Sequence, residues 1–141
     1  MPGAQEKDLN PDVFIGLSFP LRRDNTSDFK LTQTSLEQAA HNLRNLFLTY
    51  PGERVGQPEF GSRLRDLCFE QIDDDLPGKV EEEVRRAVTN WLPYIVIQEV
   101  NTLTEDGDEN KILVQVKYST TLNPNTLESI TVDATYTATA Y

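Results

Sequence analysis

The residues able to do chemistry in this chain are above all carboxylates. Its 141 residues include 23 Asp and Glu against 13 Lys and Arg, with a single histidine, His41, and a single cysteine, Cys68. Two carboxylates flanking a cleft, one of them held protonated, can hydrolyse a glycosidic bond. Among the many combinations, Glu53 with Glu59, or Glu59 with Glu70, can be imagined in that role. Each stands among Arg54, Arg63 and Arg65, and a nearby guanidinium lowers a carboxylate pKa, the wrong direction for a general acid. His41 is expected on the polar side of a helix, with no nucleophile and orienting acid spaced to make a triad with it. One Cys and one His cannot supply the three or four soft ligands of a zinc site. The acidic turn from Glu105 to Glu109 has a calcium-loop composition without the twelve-residue ligand alternation or its closing Glu. No Walker or Rossmann glycine pattern occurs. These absences assign no catalytic residue, no metal ligand and no cofactor, and the chain is not expected to be an enzyme.

Charge narrows the partners. The net charge is −10, and the basic residues are scattered from Lys7 to Lys117 without forming a stripe. Such a surface repels phosphate backbones and anionic lipid, so neither nucleic acid nor membrane is expected as a partner. It permits a basic protein partner and also serves plain solubility. A lone cysteine excludes an intrachain disulfide and fits assembly in a reducing cytoplasm. The polar start MPGAQEKDLNP lacks a signal-peptide apolar region, and no run is long enough to span a bilayer.

The elements that must position these residues follow from periodicity and punctuation. Residues 1–12 read as a flexible arm, residues 13–136 as one domain and residues 137–141 as a tail. Val13 to Phe19 is a short β-prone run closed by Pro20. Thr34 and Glu37 have capping-box spacing. Leu36, Ala39, Ala40, Leu43, Leu46 and Phe47 then form one helical stripe, ended by Pro51-Gly52. A shorter helix is expected over Ser62 to Phe69. A third is expected after Asp73-Asp74-Asp75, one of which can cap it, with Val80, Val84, Ala87, Val88 and Trp91 inward and Pro93 at its end. Three strands complete the chain. The first starts at Ile95 with Ile97 and Glu99 on the same face. The second alternates through Ile112, Val114, Val116 and Tyr118, and the third through Ile130, Val132, Ala134 and Tyr136. The expected fold is α+β: three helices packed on a three-stranded antiparallel meander, with a short N-terminal strand.

The stretch from Pro51 to Glu70, PGERVGQPEFGSRLRDLCFE, is unusual on physical grounds. Two prolines and three glycines punctuate a charged loop that runs into a helix, and Gly52 and Gly61 permit backbone conformations other residues resist. Glu53, Arg54, Glu59, Arg63 and Arg65 can form a charged network, with Val55 and Phe60 as anchors to the core. A loop so held is rigid, as an interface requires.

With the preceding Leu48-Thr49-Tyr50, this stretch resembles the signature of the T4-type phage baseplate wedge protein family, often labelled "lysozyme-like". Relatives of that family are found in type VI secretion and in extracellular contractile injection particles. The upstream IGLSFPLR resembles the family's first strand, and the ending LNPNTLESITVD is similar to the phage-type member. The resemblance spans roughly residues 13–136 and implies a structural part of a contractile tail, not an enzyme. It implies six copies around a central tube and hub, contacts with other baseplate wedge proteins, and a role in starting the first sheath ring through strand exchange with the tail sheath subunit. It places the chain in a virion tail assembled in host cytoplasm. The alternatives are a peptidoglycan-cleaving tail enzyme and a subunit of a bacterial injection system. Where many members carry Glu-Pro-Arg after the third helix, this chain has Leu92-Pro93-Tyr94. A contact through Trp91 and Tyr94 can replace the charged one. The interface residues implied are Glu53, Arg54, Glu59, Arg63, Trp91, Pro93, Tyr94 and Tyr136.

Overall fold

A computed structural model describes residues 3–23, 29–69, 74–104 and 111–134. In chain order the elements are α1 (Ala4–Asp8), β1 (Gly16–Leu17), β2 (Leu31–Thr32), α2 (Ser35–Leu48), α3 (Leu64–Cys68), α4 (Leu76–Trp91), β3 (Ile95–Thr104), β4 (Ile112–Thr120) and β5 (Glu128–Asp133). The three expected helices and the meander are present, and β3, β4 and β5 form one antiparallel sheet in sequence order. The short N-terminal strand does not join it. β1 pairs antiparallel with β2 as a separate two-stranded ribbon, Gly16 opposite Thr32 and Leu17 opposite Leu31.

The core is where the stripes meet. Ala39, Leu43, Leu46 and Phe47 of α2 and Val80, Val84, Ala87 and Val88 of α4 are buried together with Ile112, Val114, Val116, Tyr118, Ile130 and Val132 of the sheet. Burying each large aliphatic side chain contributes about 1.5–3 kcal/mol before ordering costs. Burial also pushes the Tyr118 phenol up to about 12, with the charge of Glu128 and then Tyr94 adding to the effect.

Four local expectations change. Within residues 1–12 the chain forms α1, and Asp8 Oδ1 accepts from the Ser35 amide at 3.0 Å and its hydroxyl at 2.8 Å, at the start of α2. A carboxylate there meets free amides and the positive end of the helix dipole. At the same terminus Thr34 Oγ1 accepts from the Glu37 amide at 3.2 Å, but the Glu37 carboxylate reaches the Gln33 amide rather than that of Thr34. Asp75 holds the N-cap position of α4 without a side-chain cap hydrogen bond. In β3 the register shifts between Ile97 and Glu99. Gln98 is the extra residue of a bulge, which moves the inward set from Ile95 and Ile97 to Val100 and Thr102 and turns Glu99 outward. Glu99 instead pairs with Lys117 across the strand at 2.6 Å.

Candidate functional site

The loop from Pro51 to Ser62 joins α2 to α3, and backbone hydrogen bonds hold it. Gly52 N–H donates to Pro58 O at 2.6 Å, Glu53 N–H to Tyr50 O at 3.1 Å, and Phe60 N–H to Gln57 O at 3.1 Å. Its closing end is sewn to the end of α2: Ser62 N–H donates to Thr49 O at 2.9 Å, and the buried Ser62 hydroxyl donates to Phe47 O at 3.1 Å. Gly61 allows this closure. Its φ is +131°, and a Cβ there would lie 2.3 Å from Thr49 O, a distance no side chain tolerates. Gly52 and Gly56 also take positive φ, at the open turns of the loop.

Two links fasten the loop to α4. Phe60 is buried and meets the Trp91 ring edge-on, with centroids 5.2 Å apart and planes at 70°, the arrangement a ring quadrupole favours. The Arg63 amide donates to Glu83 Oε1 at 2.7 Å, satisfying a donor at the start of α3. Burial alone would raise the Glu83 carboxyl. Hydrogen bonds from Arg86 and the Arg63 amide outweigh it and hold the group below the ordinary carboxylate range.

The expected charged network divides into smaller parts. Glu53 accepts from Arg65 at 3.4 Å through one oxygen and from the Tyr50 amide at 3.0 Å through the other. Arg65 also lies over the Tyr50 ring, and the Tyr50 hydroxyl donates to Asp66 at 3.0 Å. That hydrogen bond raises the Tyr50 phenol. Arg54 stacks over Phe60 at 4.5 Å from the ring centroid. Glu59 and the Arg63 side chain are exposed and make no ion pair among the described residues. Val55, expected as an anchor, is fully exposed at the loop tip. The flanking turn at Gly56 carries it away from the core, and Phe60 alone anchors this part of the loop.

After α4, Leu92 is buried, Pro93 is exposed and Tyr94 is 37% exposed. The Tyr94 hydroxyl accepts from Asn42 Nδ2 at 2.7 Å, and Asn42 Oδ1 accepts from Gln38 at 2.8 Å. Gln38 in turn accepts from the Thr32 hydroxyl. A polar chain therefore ties the corner after α4 to α2 and the β1–β2 ribbon. Thus the structure unites Glu53, Arg54, Arg63 and Trp91 around Phe60 and α3, while Tyr94 turns to α2. Tyr136 and Glu70 lie outside the described residues, as do the acidic turn at 105–110 and residues 135–141.

Sequence reasoning missed Glu83, Tyr50 and Asp66. Glu83 carries only an i,i+3 partner, Arg86, as a sequence signal, and nothing in the spacing shows that its Oε1 also accepts from the Arg63 amide. His41 was expected on the polar side. It is half-buried, and its Nδ1 lies 3.0 Å from Phe19 N and 2.8 Å from Phe19 O. The ring fixes the ribbon to α2 and is not presented as a base. Cys68 is buried, and burial, then the charge of Asp133, pushes its thiol up to about 11, away from nucleophilic use. Among the described residues no three His, Cys, Asp or Glu side chains gather as a metal site.

This architecture, a loop closed by glycine and pinned to a long helix beside a small meander, suits a scaffold part better than a cleft. Residues 33–125 match the family described as baseplate wedge protein gp25, and the chain belongs to that family. It is 30% identical over 95 residues to baseplate wedge protein gp25 of Enterobacteria phage T4, across 67% of this chain and 71% of that protein. Among solved structures it resembles a putative tail lysozyme from Geobacter sulfurreducens, with a TM-score of 0.65 and 27% identity over 74% of this chain and 93% of that one. It shares its fold with a chain of the anti-feeding prophage baseplate, with a TM-score of 0.59 and 20% identity over 87% and 86% of the two chains. The protein is thus a baseplate wedge homologue with a structural role.

Proposed function

We propose that this chain links the inner baseplate of a contractile particle to its first sheath ring and helps start sheath assembly, without enzymatic activity. The observation that carries this reading is the family match over residues 33–125, which contains the whole loop and both of its fastenings to α4. A rigid, exposed loop presents Glu53, Arg54, Glu59 and Arg63 in one fixed geometry, which lowers the ordering cost of an interface. The sheet supplies the means of joining sheath: β3 and β5 are its outer strands, and an outer strand can accept a strand from a neighbour. Six copies around a tube and hub, contacts with other wedge proteins, and assembly in host cytoplasm belong to the same proposal. So does Tyr136, with residues 135–141 as an exchanging strand.

The absence of catalysis rests on the site chemistry. Glu53 is paired with Arg65, and among the described residues the carboxylates with displaced protonation, Glu83 and Glu99, both move downward. A general acid needs the opposite shift. Co-expression with wedge and sheath proteins tests the reading: co-purification with them and no clearing of a peptidoglycan suspension is the expected result. Clearing that is lost on Glu53→Gln or Glu59→Gln would replace it with the tail-enzyme reading.

A further inference from the structure

We propose that the hollow between the β1–β2 ribbon and α2 is a carboxylate-binding site that receives an acidic segment of a neighbouring protein. It lies on the ribbon side of α2 and uses none of the loop residues described above. Two adjoining hollows of about 220 and 260 Å³ share Ser18, Phe19 and His41. The first is lined by Arg22, Lys30 and Arg44, and among the described residues neither lining contains an Asp or Glu. That is a marked local excess in a chain with 23 acidic and 13 basic residues.

Two observations point to a ligand. Arg22, Lys30 and Arg44 make no ion pair among the described residues, whereas Arg65, Arg85, Arg86 and Lys117 each have a carboxylate partner. Ser18 is 4% exposed, and its hydroxyl has no hydrogen-bond partner among the described residues. A buried hydroxyl without a partner keeps its desolvation penalty, so a group that bonds it recovers that penalty. A carboxylate is acceptor-only when ionised, and it can take the hydroxyl proton and guanidinium donors together. The second hollow is bordered by Leu17 and Leu21, 47% and 59% exposed, which give an apolar residue beside the acid a place to rest. Charge complementarity and this apolar border together favour an acidic peptide segment over a free anion.

The test uses the full-length free protein and does not depend on the wedge reading. The probe is a fluorescein-labelled peptide of alternating Leu and Glu, with a Leu and Gln peptide as control. Anisotropy at low salt is expected to show saturable binding of the acidic peptide, about tenfold weaker for the control and for Arg22→Gln/Arg44→Gln. Ser18→Ala, which leaves the basic groups in place, should also weaken binding while the circular dichroism stays unchanged. Equal binding of both peptides, or unaltered affinity in both variants, overturns the proposal. Absence of binding overturns it as well. Displacement by inorganic phosphate at concentrations equal to the peptide's would assign the site to a free anion and overturn the peptide reading.

Discussion

Phe60 stands edge-on to Trp91 at 5.2 Å, and this one ring contact joins the loop after α2 to the last turn of α4. The same Phe60 carries Arg54 on its face at 4.5 Å. The exposed guanidinium that can meet a neighbour is therefore positioned by a buried ring, and that ring by a helix. Trp91 is the only tryptophan in the chain, so its emission reports the contact directly. Phe60→Leu keeps the site apolar but removes the ring pair. It should lower stability by at least about 0.5–1.5 kcal/mol and shift Trp91 emission, both measured in one urea titration. An unchanged spectrum would show that the contact does not hold the loop.

Two glycines in that loop should respond differently. At Gly61 a methyl group collides with Thr49 O, while at Gly56 nothing lies within reach of one. Gly56→Ala should cost about 1–2 kcal/mol from its left-handed backbone alone. Gly61→Ala should cost clearly more, because the Ser62–Thr49 hydrogen bond must open as well. Equal losses in chemical denaturation would mean that the closure between Gly61 and Thr49 is not tight.

Glu83 sets a pH dependence. Its carboxyl is held below the usual range in the folded chain by Arg86 and the Arg63 amide. The stability it contributes is present above the unfolded carboxylate value of about 4.3 and is lost as pH falls through the folded value. Glu83→Gln retains an acceptor for the Arg63 amide but loses the charge. The variant should be less stable than the parent at pH 7, with the gap closing in acid. A gap that stayed constant from pH 7 to pH 3 would contradict the linkage.

Cys68 should be a slow thiol. Burial, with a smaller contribution from Asp133, raises it to about 11, so at pH 8 few molecules carry a thiolate. Labelling with a disulfide reagent should be much slower in the native protein than in denaturant. Comparable rates would show that α3 opens readily.

The proposed interface residues can be separated from the folding residues. Glu59 is exposed and makes no hydrogen bond or ion pair among the described residues, so Glu59→Ala should leave the melting temperature unchanged. Arg54→Ala loses its ring contact, about 0.5–1 kcal/mol at an exposed site. Both should reduce incorporation into assembled particles. Normal incorporation alongside a sharply lowered melting temperature would make the loop structural only.

The helical stripes and the alternation of β4 were legible because burial on one face imposes a period: Leu43 and Leu46 on α2, and Val114 and Val116 on β4, all lie in the core. Departures came where a single residue or a long-range contact decides. Gln98 adds one residue to β3 and reverses which side chains face inward. Val55 is apolar, but it sits where a turn carries it outward. α1 is only five residues long, and Asp8 gains its role from Ser35, 27 positions away. At the candidate site the glycines and Phe60 had local signals. The Glu83–Arg63 link crosses 20 positions and had none.

As a structural piece of the baseplate wedge, the chain is proposed to join the sheath. Electron microscopy of the assembled particle tests it most directly. Density for this fold is expected between the inner baseplate and the first sheath ring, with the Pro51–Ser62 loop against a neighbouring wedge protein. Complete baseplates and full-length sheath in particles lacking this chain would contradict it.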